Sequence, residues 1–170
     1  MRKYLSIVLI LFIPALILSC TKNKNDDKPV RICNPIKECS AQDVLKVTGT
    51  MFAVPEEAQN IRYFTIGTDM AQMTFIWKNT ECIARLQKNP KHEQKDISGF
   101  YYQWTNEIRT TIGRNPLIVK WVLKENAGVC CWWDNNTECA YSVSMINNAK
   151  TLSSFNLMQL ANLVYLKTEP

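Results

Sequence analysis

The sequence predicts an α+β fold: a single antiparallel meander sheet of about six to seven strands, with a short N-terminal helix and a C-terminal helix packed on it. Three observations carry this. Residues 71–86 read as an ideal hairpin, residues 104–145 hold closely spaced alternating segments separated by Gly and Asn turns, and helical spacing appears only at 40–49 and 153–167. Residues 33–167 form one domain on this reading, because about 150 residues suffice for one core and are too few for two.

Residues 1–19 read as a lipoprotein signal peptide and 20–32 as a polar tether. Arg2 and Lys3 give a basic start, residues 4–18 are almost wholly apolar, and Ile17-Leu18-Ser19-Cys20 has the form of a lipobox. The apolar run is too short for a comfortable spanning helix, so a cleaved leader with Cys20 as the acylated first residue is expected. That places the chain outside the cytoplasm, lipid-anchored to the outer face of the cytoplasmic membrane or to an outer membrane, with the bilayer as a partner through Cys20. Residues 21–29 carry no large apolar side chain and cannot pack.

The domain opens on Cys33 and Cys39, which flank five residues that a disulfide could close into a small loop. Six cysteines remain beside Cys20, and six allow 15 pairings, none chosen by the sequence. Ser40-Ala-Gln-Asp43 has the form of a capping box, followed by Ala41, Val44, Leu45 and Thr48 on one helical face and Gly49 at the C′ position. This short helix is read as covering a sheet edge. A two-residue turn at Lys78-Asn79 then sets Phe75 opposite Cys82, Met73 opposite Ala84 and Ala71 opposite Leu86, all six on one apolar face.

Residues 87–95 are polar, contain Pro90 and the only histidine, His92, and read as an exposed loop. A catalytic histidine needs an orienting partner and a nucleophile, and His92 has neither in its surroundings. In Asp96-Ile-Ser-Gly99, Asp96 and Ser98 can satisfy free backbone amides while Gly99 takes a conformation closed to other residues. Trp104, Ile108 and Ile112 begin the next strand, Gly113-Arg-Asn-Pro116 turns, and Leu117, Val119, Trp121 and Leu123 share a face. Asn126-Ala-Gly128 is read as a turn, residues 129–133 as strand and 134–137 as a loop, before Cys139, Tyr141, Val143 and Met145 alternate again. In that hairpin a loop at Asp134-Asn135 would set Cys130 opposite Cys139. One at Asn135-Asn136 suits a left-handed turn better and leaves them diagonal, too far apart for a bridge. The tail places Leu157, Leu160, Ala161 and Val164 on one helical stripe, behind serines able to cap it.

Without the leader, 18 basic and 15 acidic side chains leave a net charge of +3, scattered rather than clustered, which excludes nucleic acid as an expected partner. No Cys-x-x-Cys occurs and Cys130-Cys131 would point to opposite faces of a strand, so no metal site is expected, and no cofactor. No Ser-His-Asp or Cys-His set can be assembled without His92. Asp96, Glu107, Asp134 and Glu138 are the acids a carboxylate-dependent hydrolase would have to bring together. No catalytic residue is assigned.

Several phrases resemble an uncharacterised bacterial family, domain of unknown function 4367: Asn34-Pro35 with Glu38-Cys39, Val54-Pro55-Glu56, Met70-Ala-Gln-Met-Thr-Phe75, Asp96-Ile-Ser-Gly-Phe-Tyr-Tyr102, and Tyr141-Ser-Val-Ser-Met145 before a last helix. The resemblance covers residues 34–166 and implies placement and fold, in a family found in secreted lipoproteins and in carrier-like proteins; it implies no catalytic residue. Cys130-Cys131 and Trp132-Trp133 depart from its pattern. The function expected is therefore a non-enzymatic binding or interaction module at the cell envelope, with Tyr101, Tyr102, Trp104, Trp132 and Trp133 as the candidate surface for an envelope ligand or protein. Trp121 belongs to the same aromatic set. The alternative is a carrier or sensor of a lipid or other hydrophobic ligand in a pocket between sheet and helix.

Overall fold

A computed structural model describes residues 35–88, 91, 94–148 and 150–165. The leader, Cys20, the tether, Cys33 and His92 lie outside the described residues. Within them the chain forms β1 (Ile36–Cys39), α1 (Ala41–Thr48), β2 (Gln59–Ile66), β3 (Met70–Trp77), β4 (Thr80–Lys88), β5 (Asn106–Ile112), β6 (Asn115–Val122), β7 (Ala127–Asp134), β8 (Cys139–Ile146) and α2 (Ser154–Val164). The eight strands make one open antiparallel sheet in the order β1-β2-β3-β4-β8-β7-β6-β5.

This corrects the expected six to seven strands and the expectation of one continuous meander. Two four-stranded meanders meet at the β4–β8 pair, and the segment between β4 and β5 carries the chain to the far edge. The β4–β8 register sets Cys82 opposite Met145, Ala84 opposite Val143 and Leu86 opposite Tyr141. Matching two apolar faces, rather than pairing neighbours in sequence, thus decides what lies at the centre. The extra strand is β1, whose residues are exposed or half-exposed and so show no alternation to read.

Local chemistry explains most element boundaries. In the β3–β4 hairpin Lys78 and Asn79 both have positive φ, 48° and 55°, the signature of a type I′ turn, and the three expected cross-strand pairs form as read. The Ser40 hydroxyl accepts from the Asp43 amide at 3.3 Å and the Asp43 carboxylate accepts from the Ser40 amide at 3.2 Å, closing both halves of the capping box. Gly49 ends α1 at φ 76°. Rather than covering an edge, α1 lies over β2, β3 and β4, burying Val44 and Thr48 while Leu45 stays exposed.

The second helix, α2, is capped by the Ser153 hydroxyl, which accepts from Asn156 N at 3.1 Å, and buries Leu157, Leu160, Ala161 and Val164 against the second meander. Gly128 belongs to β7 and not to a turn. A Cβ there would come within 2.6 Å of Leu157 Cδ1 and 2.8 Å of Leu152 Cδ1, so the missing side chain is what lets α2 approach the sheet. The β7–β8 loop spans the four residues between Asp134 and Cys139, longer than either expected turn. Cys130 therefore faces Val143, and no bridge to Cys139 is possible at that register.

Both helices share the sheet's inner face, where one core joins Val44, Phe52, Met73, Trp77, Leu86, Trp132, Tyr141 and Leu157. Trp132 stacks on Tyr141 with centroids 4.9 Å apart, and Tyr165 meets both edge-on. The outer face is also buried along β7 and β8, in which every residue but Ile146 is buried.

Candidate aromatic cleft

The outer face is covered by the crossover segment, residues 94–105, and the sheet itself holds that cover in place. Gln72 and Arg85 are cross-strand partners in the β3–β4 hairpin. Arg85 Nε donates to Gln72 Oε1 at 2.9 Å and its Nη1 donates to the Ile97 carbonyl at 3.1 Å. Gln94 Nε2 donates to the carbonyls of Cys131 at 2.9 Å and Pro116 at 3.3 Å, at the end of β6 where proline has no N–H to give the ladder. Ile97 then packs on Trp133, Ala140 and Met70, a small apolar cluster separate from the main core.

The expected turn chemistry sets the path beyond Ile97. Ser98 N donates to Asp96 Oδ1 at 3.0 Å, Phe100 N donates to Ser98 Oγ at 3.2 Å, and Gly99 sits at φ 76°. A side chain at Gly99 would be doubly excluded, since a Cβ would overlap the Arg85 guanidinium. The Asp96 carboxylate lies against the Cys131 thiol, and burial followed by this charge pushes that thiol's pKa well above its ordinary value.

After Gly99 the chain is neither helix nor strand, and exposure alternates along it, with Phe100, Tyr102 and Trp104 half-buried and Tyr101 and Gln103 exposed. Phe100 and Tyr102 stack at 5.8 Å between centroids with planes 9° apart, and Trp104 meets Tyr102 edge-on at 5.5 Å. Tyr101 is 98% exposed. These four rings, with Asp96 and Gly99, line an open cleft of about 320 Å³. A second cleft of about 230 Å³, between Pro55, Glu56, Glu57 and α2, is floored by Lys78, which lies over the Trp77 ring at 4.3 Å and donates to Gln159 at 3.0 Å.

Of the candidate surface residues, the fold brings Tyr101, Tyr102 and Trp104 together and takes Trp132 and Trp133 into the interior. Trp132 is fully buried in the inner core, and Trp133, 6% exposed, is held under Ile97 on the opposite face. Adjacent strand residues must point to opposite sides, and here both sides are covered. Trp121 is half-buried against the main core. Arg85, Gln72 and Phe100 complete the site without having been singled out from the sequence. The hairpin register already paired Gln72 with Arg85, but two polar side chains on the face away from the core read as a solvated face, and only the Arg85 bond to the Ile97 carbonyl shows the cover.

The five described cysteines, Cys39, Cys82, Cys130, Cys131 and Cys139, form no bridge among themselves. Asp134 is fully buried and accepts from Thr137 Oγ1 at 2.8 Å, Asn136 N at 3.0 Å and Asn115 Nδ2 at 3.3 Å. Glu107 is paired with Arg109 at 2.8 Å on β5, and Glu138 lies in the β7–β8 loop. The four acids thus serve a turn, a buried polar network, an edge strand and a loop. Among the described residues no three His, Cys, Asp or Glu side chains gather as metal ligands, and no helix is long and apolar enough to cross a membrane.

Comparison with protein-family models, with curated proteins and with solved structures gives no match for this chain.

Proposed function

We propose that this protein is a non-enzymatic, lipid-anchored binding module at the outside of the membrane, and that its crossover segment presents the aromatic cleft to a carbohydrate of the envelope. The observation that carries the reading is the convergence of four rings and an exposed carboxylate on one cleft. Rings offer apolar area at small entropic cost, which suits the C–H face of a sugar, and Asp96 supplies only acceptors, which suit hydroxyl donors at its rim. The lipobox ending at Cys20 and the polar tether support the location. A lipid carried between sheet and helix is supported less well, since Leu152 and Leu157 already occupy the space above Gly128 and a guest there would have to expel α2.

Two experiments test the two halves. For the ligand, the full chain in detergent is titrated calorimetrically with maltohexaose, cellohexaose, xylohexaose and chitohexaose. Binding of at least one that Tyr102→Ala and Trp104→Ala each weaken tenfold or more is expected; no heat from any of the four, or binding indifferent to both substitutions, overturns the carbohydrate reading. For the anchor, labelled palmitate is expected in the wild-type chain and absent from Cys20→Ser, and equal labelling of both removes it.

A further inference from the structure

Among the described residues one long sheet edge is left open, and we infer that β5 pairs with the β5 of a second copy of this chain, joining two sheets edge to edge. This does not rest on the ligand proposed above. β5 is the terminal strand of the sheet, and residues 107–111 are all exposed. The opposite edge, β1, has only four residues.

Backbone parity decides which groups are available. β5 and β6 are joined by the two residues Gly113 and Arg114, with Ile112 opposite Asn115 and Gly113 at φ 60°. In a two-residue hairpin the residues flanking the turn form a hydrogen-bonded pair, and such pairs alternate along the ladder. The N–H and C=O groups of Ile112, Thr110 and Ile108 therefore face β6, whereas those of Glu107, Arg109 and Thr111 face outwards without a strand partner among the described residues. An unpaired row of this kind is a template for another strand unless it is blunted.

Side chains then select both partner and register. If two β5 strands pair antiparallel about a two-fold axis at Ile108, the outward-facing groups of Glu107 meet those of Arg109 in the other copy, as hydrogen bonding requires. The same register brings each Glu107 carboxylate opposite the other copy's Arg109 guanidinium, twice by symmetry. Glu107 and Arg109 now hold each other at 2.8 Å within one strand, so the charges need only exchange partners. Shifting the axis to Arg109 would keep the backbone parity but set arginine against arginine, which is unfavourable. On the inner face the axis register brings Ile108, 37% exposed, against its own symmetry mate. The strand is thus self-complementary in backbone, charge and apolar contact, as an isologous interface must be.

The test uses the full chain in detergent and reads mass against concentration by analytical ultracentrifugation in a density-matched solvent. A reversible monomer–dimer equilibrium is expected. Glu107→Arg should weaken it roughly tenfold, by turning two attractive pairs repulsive, and adding Arg109→Glu should restore it. Register is read by oxidation: directly opposed Cα atoms in a non-hydrogen-bonded pair stand about 4.5 Å apart. Ile108→Cys should cross-link to itself, whereas Asn106→Cys and Thr110→Cys should cross-link when mixed and not alone, each against an oxidised wild-type control. Thermal melts of every variant confirm folding. A chain that stays monomeric at all concentrations, a double charge swap that does not rescue, or cross-linking without this positional pattern overturns the proposal. The first of these would mean that the Glu107–Arg109 pair protects the edge instead.

Discussion

Gly99 is where the backbone of the cover and the chemistry of the sheet meet, and Gly99→Ala measures how firmly one holds the other. Two costs arise. Placing an alanine at φ 76° costs about 1–2 kcal/mol, because Cβ crowds the carbonyl in the left-handed region. The new Cβ would also overlap the Arg85 guanidinium and force it away from Gln72 and the Ile97 carbonyl. Hydrogen bonds from a charged donor contribute about 1.5–3 kcal/mol each, and half-exposure of Arg85 reduces this, so a further 1–3 kcal/mol is expected. Gly67 provides the control, since it sits at φ 65° with no atom within 4 Å of its would-be Cβ, and Gly67→Ala isolates the backbone cost. Urea unfolding of the full chain followed by tryptophan fluorescence should give Gly99→Ala a total loss of about 2–5 kcal/mol, at least 1 kcal/mol beyond Gly67→Ala, with similar slopes. Equal losses for the two variants would refute the claim that Arg85 pins the crossover through the space beside Gly99.

The Ser142 and Ser144 hydroxyls are buried on the outer face without a hydrogen-bond partner, so Ser142→Ala and Ser144→Ala should leave the thermal midpoint unchanged or raise it. Asp134→Ala, which strands Asn115, Asn136 and Thr137 donors in a buried site, should cost about 2–4 kcal/mol in the same assay. Burial raises the thiols of Cys82 to about 12 and Cys139 to about 11, from an ordinary value of 9.0. The unfolded chain then loses protons that the folded chain keeps, so these groups' contribution, intact below pH 9, is lost as pH rises from about 9 towards 12; a urea midpoint that stays flat between pH 8 and 10.5 would contradict it. In hydrogen exchange, amides of residues 99–104 should exchange well before those of β7 and β8, because the cover is held by a few side-chain bonds and the central strands by full ladders.

Much of this was legible because it is local. The capping box, the I′ turn with its three apolar pairs, the Asp96-Ser98-Gly99 turn and the α2 stripe each need only residues within a few positions of one another. The β4–β8 pairing was not legible: Leu86 and Tyr141 are far apart in sequence, and an alternating strand states which face it buries without naming its neighbour. Gly128 misled for a related reason. In isolation Asn126-Ala-Gly128 has turn composition, and only the approach of Leu157 from a distant helix explains why β7 lacks a side chain there. For the site, the aromatic run announced itself. What sorted Tyr101, Tyr102 and Trp104 from Trp132 and Trp133 was the path of the crossover, which no local pattern encodes.

That path also accounts for the composition of β7. A strand covered on one face alternates, but Ala-Gly-Val-Cys-Cys-Trp-Trp-Asp is buried at every position, and six of its eight residues carry apolar side chains. Inward residues Cys130 and Trp132 belong to the helix-covered core, whereas Cys131 and Trp133 face the crossover. The paired cysteines and paired tryptophans that depart from a simpler strand are therefore what two-sided burial demands of adjacent positions. On the inner face two helices supply the cover. On the outer face a helix-free segment does so, fastened through Arg85, Gln94 and Ile97, and in it half-buried Phe100, Tyr102 and Trp104 alternate with exposed Tyr101, Gln103 and Thr105. A helix in that place would bury its aromatic stripe against the sheet; this irregular strap keeps Phe100, Tyr102 and Trp104 only half-buried, lining a cleft together with Tyr101, and this is how the topology of the sheet leads to the binding role proposed for the strap.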